Sequence, residues 1–222
     1  MSIRQTKHAA CPVCHKEFEV SAWDSLNGDL DPEAKEQLIH GHLFDYTCPH
    51  CQAKGSLDYP LLYHDMTNHL MVQYNSDAHE LEELIKNLLN GPDIVKEYMA
   101  SQGYRIRAVT SRRALSEKAT IFDAGFDDCT IEIVKIIYAV MQETQDPTIN
   151  FNDILFINEA THGPSLYFVC ENSNDDFAVP ISNEIYQDIA KTVDLLPEEE
   201  RQKTVIDTDW ATRIMRTYEV LK

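Results

Sequence analysis

Four of the six cysteines occur as two Cys-Pro-x-Cys pairs, Cys11 with Cys14 and Cys48 with Cys51. Proline after the first cysteine fixes the backbone φ angle near about −65°, which favours a tight turn. In such a turn the two sulfurs lie on one side, and two turns together can place four thiolates tetrahedrally around Zn²⁺ at roughly 2.3 Å. The sequence therefore predicts a metal site whose ligands are Cys11, Cys14, Cys48 and Cys51.

This ligand set predicts a structural role for the metal. Because four protein side chains would fill all four positions, no position remains for water or a substrate, and we expect structural Zn²⁺. A histidine next to the cysteines, His15 or His50, is an alternative fourth ligand, but we favour histidines that hydrogen-bond away from the metal. Four thiolates do not by themselves exclude an iron–sulfur cluster.

The same cysteines permit two other interpretations. A Cys-Pro-x-Cys pair can be a thiol redox centre, but that chemistry places the first thiolate at a helix N-terminus, and residues 16 to 20 have the pattern of a strand. Residues 11 to 15 also spell the Cys-x-x-Cys-His string of covalent haem attachment. Covalent haem is attached outside the cytosol, whereas residues 1 to 10 contain no apolar run typical of a signal peptide. We therefore do not favour haem attachment.

The composition argues against several function classes. The 222 residues include 37 acidic and 19 basic ones, giving a formal net charge of −18, so the surface mostly repels nucleic acid and anionic membranes. No stretch approaches the roughly 20 apolar residues of a membrane-spanning helix. The sequence contains no Walker A, dinucleotide-binding, nucleophile-elbow or zincin motif. Because residues 1 to 10 contain no apolar run that could form a signal-peptide core, we expect a cytoplasmic protein. The cytosol keeps thiols reduced, so we interpret the six cysteines as metal or redox residues and not as disulfides.

The cysteine pairs must be positioned by a small β unit, which we place at residues 1–75. Strand patterns cover residues 17–23, 43–47, 59–63 and 69–74. One helix is inserted among them, from Pro32 to about His40, with Asp31 as its N-cap and Gly41 just beyond its end. We expect this unit to resemble a zinc ribbon.

A helical region is predicted at residues 76–145. Its clearest helix begins at Ser76 or Asp77 and repeats leucine and isoleucine on one face, at positions 81, 84, 85, 88 and 89. Further helices are predicted at 93–101 and 111–124, with an extended segment at 104–109 between them. A last helix opens at Asp127 or Asp128, and its apolar residues, from Ile131 to Met141, surround most of its circumference, which indicates burial.

The third region, residues 146–222, predicts a three-stranded antiparallel meander with helices. Its strand patterns cover residues 154–158, 166–171 and 177–181. Ser182 caps a helix that continues through Val193, and apolar residues at positions 210, 214, 215, 218 and 221 form a stripe on a terminal helix. The whole chain is thus predicted to have an α+β fold.

Other polar groups have structural explanations that we prefer. Tyr63, His64 and Asp65, with His69 and His79 nearby, can form an acid/base or metal cluster, but a turn in which Asp65 and Asn68 bond the backbone explains them more simply. Helix capping is likewise the simpler interpretation of the aspartates at 123, 127 and 128. We expect His162 to lie in a hairpin loop, and Cys129 and Cys170 to be buried core residues.

One basic cluster occurs in the chain, formed by Arg105, Arg107, Arg112, Arg113 and Lys118. It can bind an anion or a nucleic-acid backbone, or simply line a solvated strand face. We favour an acidic partner for it, either the run of glutamates at 198–200 or a neighbouring subunit.

Several segments together resemble the bacterial CpXC-domain proteins. The resemblance rests on the paired Cys-Pro-x-Cys motifs, on the acidic helix followed by Leu43–Thr47, and on the strings Pro60–Asp65 and Ile121–Asp128, so it covers about residues 8 to 140. It implies a bacterial origin and metal binding through the four cysteines. The family has no assigned activity, and the resemblance does not extend to residues 146–222.

These observations favour a binding or interaction module with a structural Zn(Cys)₄ site, whose partner is a protein or a small ligand. Without a catalytic motif, we lean against an enzyme. Three alternatives remain open: an enzyme acting on a small ligand between the sub-domains, a thiol redox protein, and a regulator that binds nucleic acid through the basic cluster.

Overall fold

The computed structural model describes residues 2–171 and 175–218. These residues form a mixed α+β structure with eight helices and three sheets, which confirms the predicted fold class. The chain divides into two compact units, an N-terminal unit of Met1–Ser116 and a C-terminal unit of Glu117–Lys222. The predicted division near residues 75 and 145 stays a prediction. None of the described helices is long and apolar enough to span a membrane.

The N-terminal unit contains most of the strands. Its elements are β1 (Ile3–Ala10), β2 (Glu17–Asn27), α1 (Pro32–Ile39), β3 (Asp45–Thr47), β4 (Lys54–Ser56), β5 (Leu61–Asp65), β6 (Leu70–Tyr74), α2 (Ala78–Leu89), α3 (Asp93–Ser101) and β7 (Arg105–Val109). The unit boundary falls within α4 (Arg112–Asp123).

The C-terminal unit continues from α4. Its remaining elements are α5 (Asp128–Gln145), β8 (Phe151–Glu159), β9 (Gly163–Cys170), β10 (Phe177–Pro180), α6 (Asn183–Asp194), α7 (Glu198–Arg201) and α8 (Thr208–Tyr218). Position 221 of the predicted terminal stripe lies outside the described residues.

Five strands of the N-terminal unit form one mixed sheet in the order β1-β2-β5-β6-β7. The hairpins β1–β2 and β5–β6 are antiparallel, whereas β2 pairs with β5, and β6 with β7, in parallel. Parallel neighbours need a crossover connection. The crossover from β2 to β5 carries α1 and the separate β3–β4 hairpin, and the segment predicted at 104–109 supplies β7.

Local signals explain the helix ends. Pro32 occupies the first turn of α1, and Gly41 follows that helix with a φ angle of +76°. Asp31 precedes α1 as predicted, but its carboxylate makes no cap bond and accepts a hydrogen bond from Ser2 Oγ instead. Asp77 does cap α2, accepting from the N–H groups of His79 and Glu80 at 2.9 and 3.0 Å.

The C-terminal unit has its own hydrophobic core around α5. The predicted meander is confirmed, with antiparallel strands in the order β10-β9-β8. Residues 128–135 of α5 are all buried, as its apolar circumference predicted. The extension of that burial to Val140 and Met141 was wrong, because these side chains are 56% and 39% exposed. The helix therefore leaves the core in its last two turns.

Candidate metal centre

The first Cys-Pro-x-Cys pair forms the turn of the β1–β2 hairpin, and we call residues 11–16 the first knuckle. The N–H group of Cys11 donates to the carbonyl of Lys16 at 3.0 Å, and the N–H group of His15 donates to the carbonyl of Cys11 at 2.9 Å. These two bonds close the turn around the position of the sulfurs.

The second pair forms the turn of the β3–β4 hairpin, and residues 48–53 are the second knuckle. Here Cys48 N–H donates to the carbonyl of Ala53 at 2.8 Å, and Gln52 N–H donates to the carbonyl of Cys48 at 2.9 Å. His15 and Gln52, the fifth residue of each knuckle, have φ angles of 57° and 63°, which are uncommon outside glycine. The two knuckles therefore have the same pattern of backbone hydrogen bonds and the same left-handed fifth residue.

The knuckles bring all four predicted cysteines together. Their sulfurs lie within 4.8 Å of one another. Across the knuckles, Cys11 Sγ lies 3.6 Å from Cys51 Sγ, and Cys14 Sγ lies 3.8 Å from Cys48 Sγ. A tetrahedral ion with sulfur ligands at about 2.3 Å separates those sulfurs by about 3.8 Å. This Cys₄ cluster can therefore hold a metal ion.

The thiols differ in how readily they ionise. The backbone N–H of Cys14 is the main group that lowers the pKa of Cys11, to about 6. The backbone N–H of Ala53 lowers the pKa of Cys51, but partial removal from water and bonds with the other three cysteines outweigh it and raise that pKa to about 12. Four adjacent thiolates thus repel one another, and a bound cation would relieve that repulsion.

The cluster is also the centre of a small apolar core. Cys11 and Cys48 are 1% and 0% exposed, and they pack with Phe18 of β2. The Tyr46 ring lies 5.2 Å from the Phe18 ring. Gly55, opposite Tyr46 in the β3–β4 hairpin, leaves room for that ring, because an added Cβ would lie 2.6 Å from Tyr46 Oη. Each hairpin therefore contributes sulfur and apolar contacts to the same core.

His50 and the two cysteines outside the cluster have contacts of their own. His50 Nε2 donates to the carbonyl of Glu17 at 3.1 Å, which is the outward bond that we favoured over metal ligation. Cys129 and Cys170 are buried, as predicted, in the C-terminal unit. Their Sγ atoms contact the carbonyls of Arg201 at 3.8 Å and Asp175 at 3.2 Å.

The Tyr63–Asp65 string ends strand β5, and Asp65 begins the structural turn that we preferred. Asp65 Oδ1 accepts from Asn68 N–H at 2.8 Å, and Asp65 Oδ2 accepts from Lys35 Nζ at 2.9 Å and Tyr63 Oη at 3.1 Å. Burial raises the pKa of Asp65, but the bonds from Lys35 and Asn68 outweigh this effect and hold it below its usual value. The carboxylate thus stabilises the turn between β5 and β6.

His64 has two partners that the sequence did not indicate. Asn27 Nδ2 lies 3.4 Å from His64 Nδ1, and Tyr104 Oη lies 2.9 Å from His64 Nε2. The ring of His69 lies 5.2 Å from that of Tyr104. Asn27 and Tyr104 are distant in sequence. The pairing of β5 with β2 brings Asn27 to His64, and the pairing of β5 with β6 and of β6 with β7 brings Tyr104 there. No periodic pattern could have identified them.

The acidic group at the start of α5 has capping and pairing roles. Asp127 Oδ1 accepts from Thr130 N–H at 3.0 Å, which confirms the predicted helix cap. Asp128 is buried, and its Oδ2 lies 3.0 Å from Lys118 Nζ. His162 is exposed in the β8–β9 hairpin loop, as predicted.

The predicted basic cluster is not a single exposed surface. Arg107 is 0% exposed, which contradicts a solvated strand face, and Lys118 is 3% exposed beside Asp128. Arg112 donates to the carbonyl of Leu57 at 3.1 Å. Glu200 pairs with Arg213 at 2.6 Å and with Lys203 at 3.6 Å, and an acidic partner for the basic cluster stays a prediction.

Comparison with known proteins supports one family. A family model described as CpXC protein matches residues 9–135, which include both knuckles. No curated protein and no solved structure matches the chain. Since the family model covers more than half of the 222 residues, the chain belongs to the CpXC protein family.

Proposed function

We propose that the four cysteines bind one structural Zn²⁺ and that the protein is a cytoplasmic binding or interaction module. The observation that carries the proposal is the convergence of four sulfurs from two matching knuckles, with cross-knuckle distances of 3.6 and 3.8 Å. A reducing cytoplasm would keep these thiols available for the metal. Family membership assigns no reaction to the chain.

A structural role follows from the position of the knuckles. The first knuckle lies at one end of the five-stranded sheet, and the second belongs to the hairpin inserted between β2 and β5. Strands β3 and β4 have only three residues each, and a two-stranded hairpin is marginally stable alone. A metal shared by both knuckles would fix this hairpin to the sheet.

Four protein ligands would leave the metal no position for a substrate, so the metal itself would not act in catalysis. The partner that we propose for the module is a protein or a small ligand. Burial of Arg107 and Lys118 weakens the alternative of nucleic-acid binding through the basic cluster. Asp65 accepts a hydrogen bond from the backbone of Asn68 and so stabilises a turn, which weakens the alternative of an enzyme that uses the Tyr63–Asp65 string.

The test is metal analysis of the full chain purified without added metal. We expect one zinc per chain and four thiols that become reactive only after chelation. Cys48→Ser should lose the metal, whereas Cys170→Ser, which can still donate to the carbonyl of Asp175, should retain it. Equal zinc content in both variants, or iron in place of zinc, would contradict the proposal.

A further inference from the structure

We propose that the Cys₄ cluster is also a modification site, at which hydrogen peroxide oxidises Cys51 and Cys11 to a disulfide and thereby releases the metal. This inference rests on the zinc binding proposed above. Cys51 would react first and Cys11 second, and the reaction would change how the two knuckles are linked.

The four cysteine residues differ in their exposure to solvent. Cys51 is exposed and Cys14 is half-buried, whereas Cys11 and Cys48 are 1% and 0% exposed. Oxidation by peroxide follows thiolate character and exposure. Because metal binding requires all four cysteines as thiolates, residue exposure is what distinguishes them, and we infer that peroxide reacts first at Cys51.

The geometry also selects the second sulfur. Cys11 Sγ lies 3.6 Å from Cys51 Sγ, and the two residues belong to different knuckles. A disulfide requires an S–S distance of about 2.0 Å, so these sulfurs need to approach by only about 1.6 Å. Cys14 and Cys48, 3.8 Å apart, remain as the other pair.

The reaction has two balanced steps. The Cys51 thiolate attacks hydrogen peroxide, the O–O bond breaks, and with one proton the products are a Cys51 sulfenic acid and water. The Cys11 thiolate then attacks the Cys51 sulfur, the S–O bond breaks, and with a second proton the products are the disulfide and a second water. The cysteine pair loses two electrons, and the peroxide gains them.

The reaction would replace the metal, which links the two knuckles, by a disulfide between them. Oxidation removes Cys11 and Cys51 as thiolate ligands, so that only Cys14 and Cys48 remain to hold the metal, which is released. The Cys11–Cys51 disulfide joins the two hairpins in its place, and a dithiol reductant reverses the change. Peroxide would thus lower the metal content of the cluster, while the two hairpins stay linked by the disulfide.

The experiment treats the zinc-loaded full chain with hydrogen peroxide. Zinc release is followed with a chromophoric chelator, and the oxidised cysteines are mapped by differential alkylation and mass spectrometry. We expect one zinc released per disulfide, loss of the free Cys51 thiol before that of Cys14, a Cys11–Cys51 linked peptide, and rebinding of zinc after reduction. This mapping needs no variant, so it tests the proposal even where a substitution prevents folding.

Two matched variants separate metal binding from reactivity. Cys51→His replaces the exposed thiolate by an imidazole, and three cysteines with one histidine are a common zinc ligand set. We expect Cys51→His to retain zinc but to release it to peroxide roughly tenfold more slowly, because the accessible thiolate is absent. Cys170→Ser lies outside the cluster, keeps all four ligands and the reactive pair, and should release zinc at the rate of the original chain.

The outcomes distinguish the two proposals. A disulfide within one knuckle, such as Cys11–Cys14, or equal release rates for Cys51→His and Cys170→Ser would overturn this inference alone. Zinc that survives peroxide would do the same. Protein that carries no zinc before treatment would overturn the proposed function, and this inference with it.

Discussion

Single residues allow the two hairpins to approach each other around the sulfurs. Gly55 lies opposite Tyr46, whose ring packs on Phe18 at a centroid distance of 5.2 Å. His15 and Gln52 hold left-handed backbone conformations at matching positions of the two knuckles. Backbone strain of this kind persists only where the surroundings fix it. We infer that the bonds and sulfurs of each knuckle hold these residues in place.

We predict that Gly55→Ala weakens the second knuckle. The new Cβ would lie 2.6 Å from Tyr46 Oη, and the ring has little room to move because it packs on Phe18. Overpacking of this kind typically costs about 1–3 kcal/mol, and zinc affinity should fall with it. Urea unfolding and competition with a zinc chelator measure the two effects.

The control is a double-mutant cycle with Tyr46→Ala, which removes the ring that the methyl group would contact. Adding Gly55→Ala to Tyr46→Ala should cost less than adding it to the original chain, because the clash is gone. Purely additive free energies would show that Gly55 acts through backbone conformation and not through Tyr46.

At the scale of elements, local signals predicted most of the helices and strands. Asp77 and Ser182 begin helices because each side chain accepts a bond from an N–H group of the first helical turn, a contact within a few residues. Each Cys-Pro-x-Cys motif is also a local signal, although the sulfur contacts between the two motifs join residues 34 and 40 positions apart. Strand β1 was missed, since it is an edge strand with mostly exposed side chains and so lacks the alternation that identifies half-buried strands.

Burial of charged side chains could not be predicted from the pattern. Lys118 belongs to the predicted basic cluster, and in the sequence Glu132 and Lys135 interrupt the apolar residues of α5. In the structure Glu132 Oε1 lies 3.2 Å from both lysine Nζ atoms, and Lys135 Nζ also lies 2.7 Å from Glu117 Oε1. Only the packing of α4 against α5 creates this buried network, because its charges lie on two different helices.

We predict that Lys135→Met strongly destabilises the C-terminal unit. The substitution leaves Glu117 and Glu132 buried without their shared cation, and loss of one partner of a buried ion pair typically costs about 3–5 kcal/mol. Urea unfolding gives the loss in unfolding free energy.

Lys191→Met is the matched surface control. Lys191 pairs with Asp188 at 2.8 Å, but both side chains are more than half exposed, so its loss should cost at most about 1 kcal/mol. Similar costs for the two substitutions would show that Lys135 contributes no more than a surface pair.

The whole molecule consists of two compact units, each with buried apolar residues of its own. The Cys₄ cluster lies entirely within the N-terminal unit, whereas the core around α5 and β9 contains no cysteine of that cluster. Domains with separate cores can in principle fold independently. The metal is therefore expected to stabilise one unit and not the other.

We predict that chelation loosens the N-terminal unit selectively. In hydrogen-exchange mass spectrometry, added chelator should increase exchange at the tip of the β1–β2 hairpin and throughout the β3–β4 hairpin, because these elements share the metal ligands. Peptides from the buried first half of α5 should exchange at an unchanged rate. Equal loss of protection in both units would show that the metal supports the entire chain, and the Cys48→Ser variant should then show the same global change without chelator.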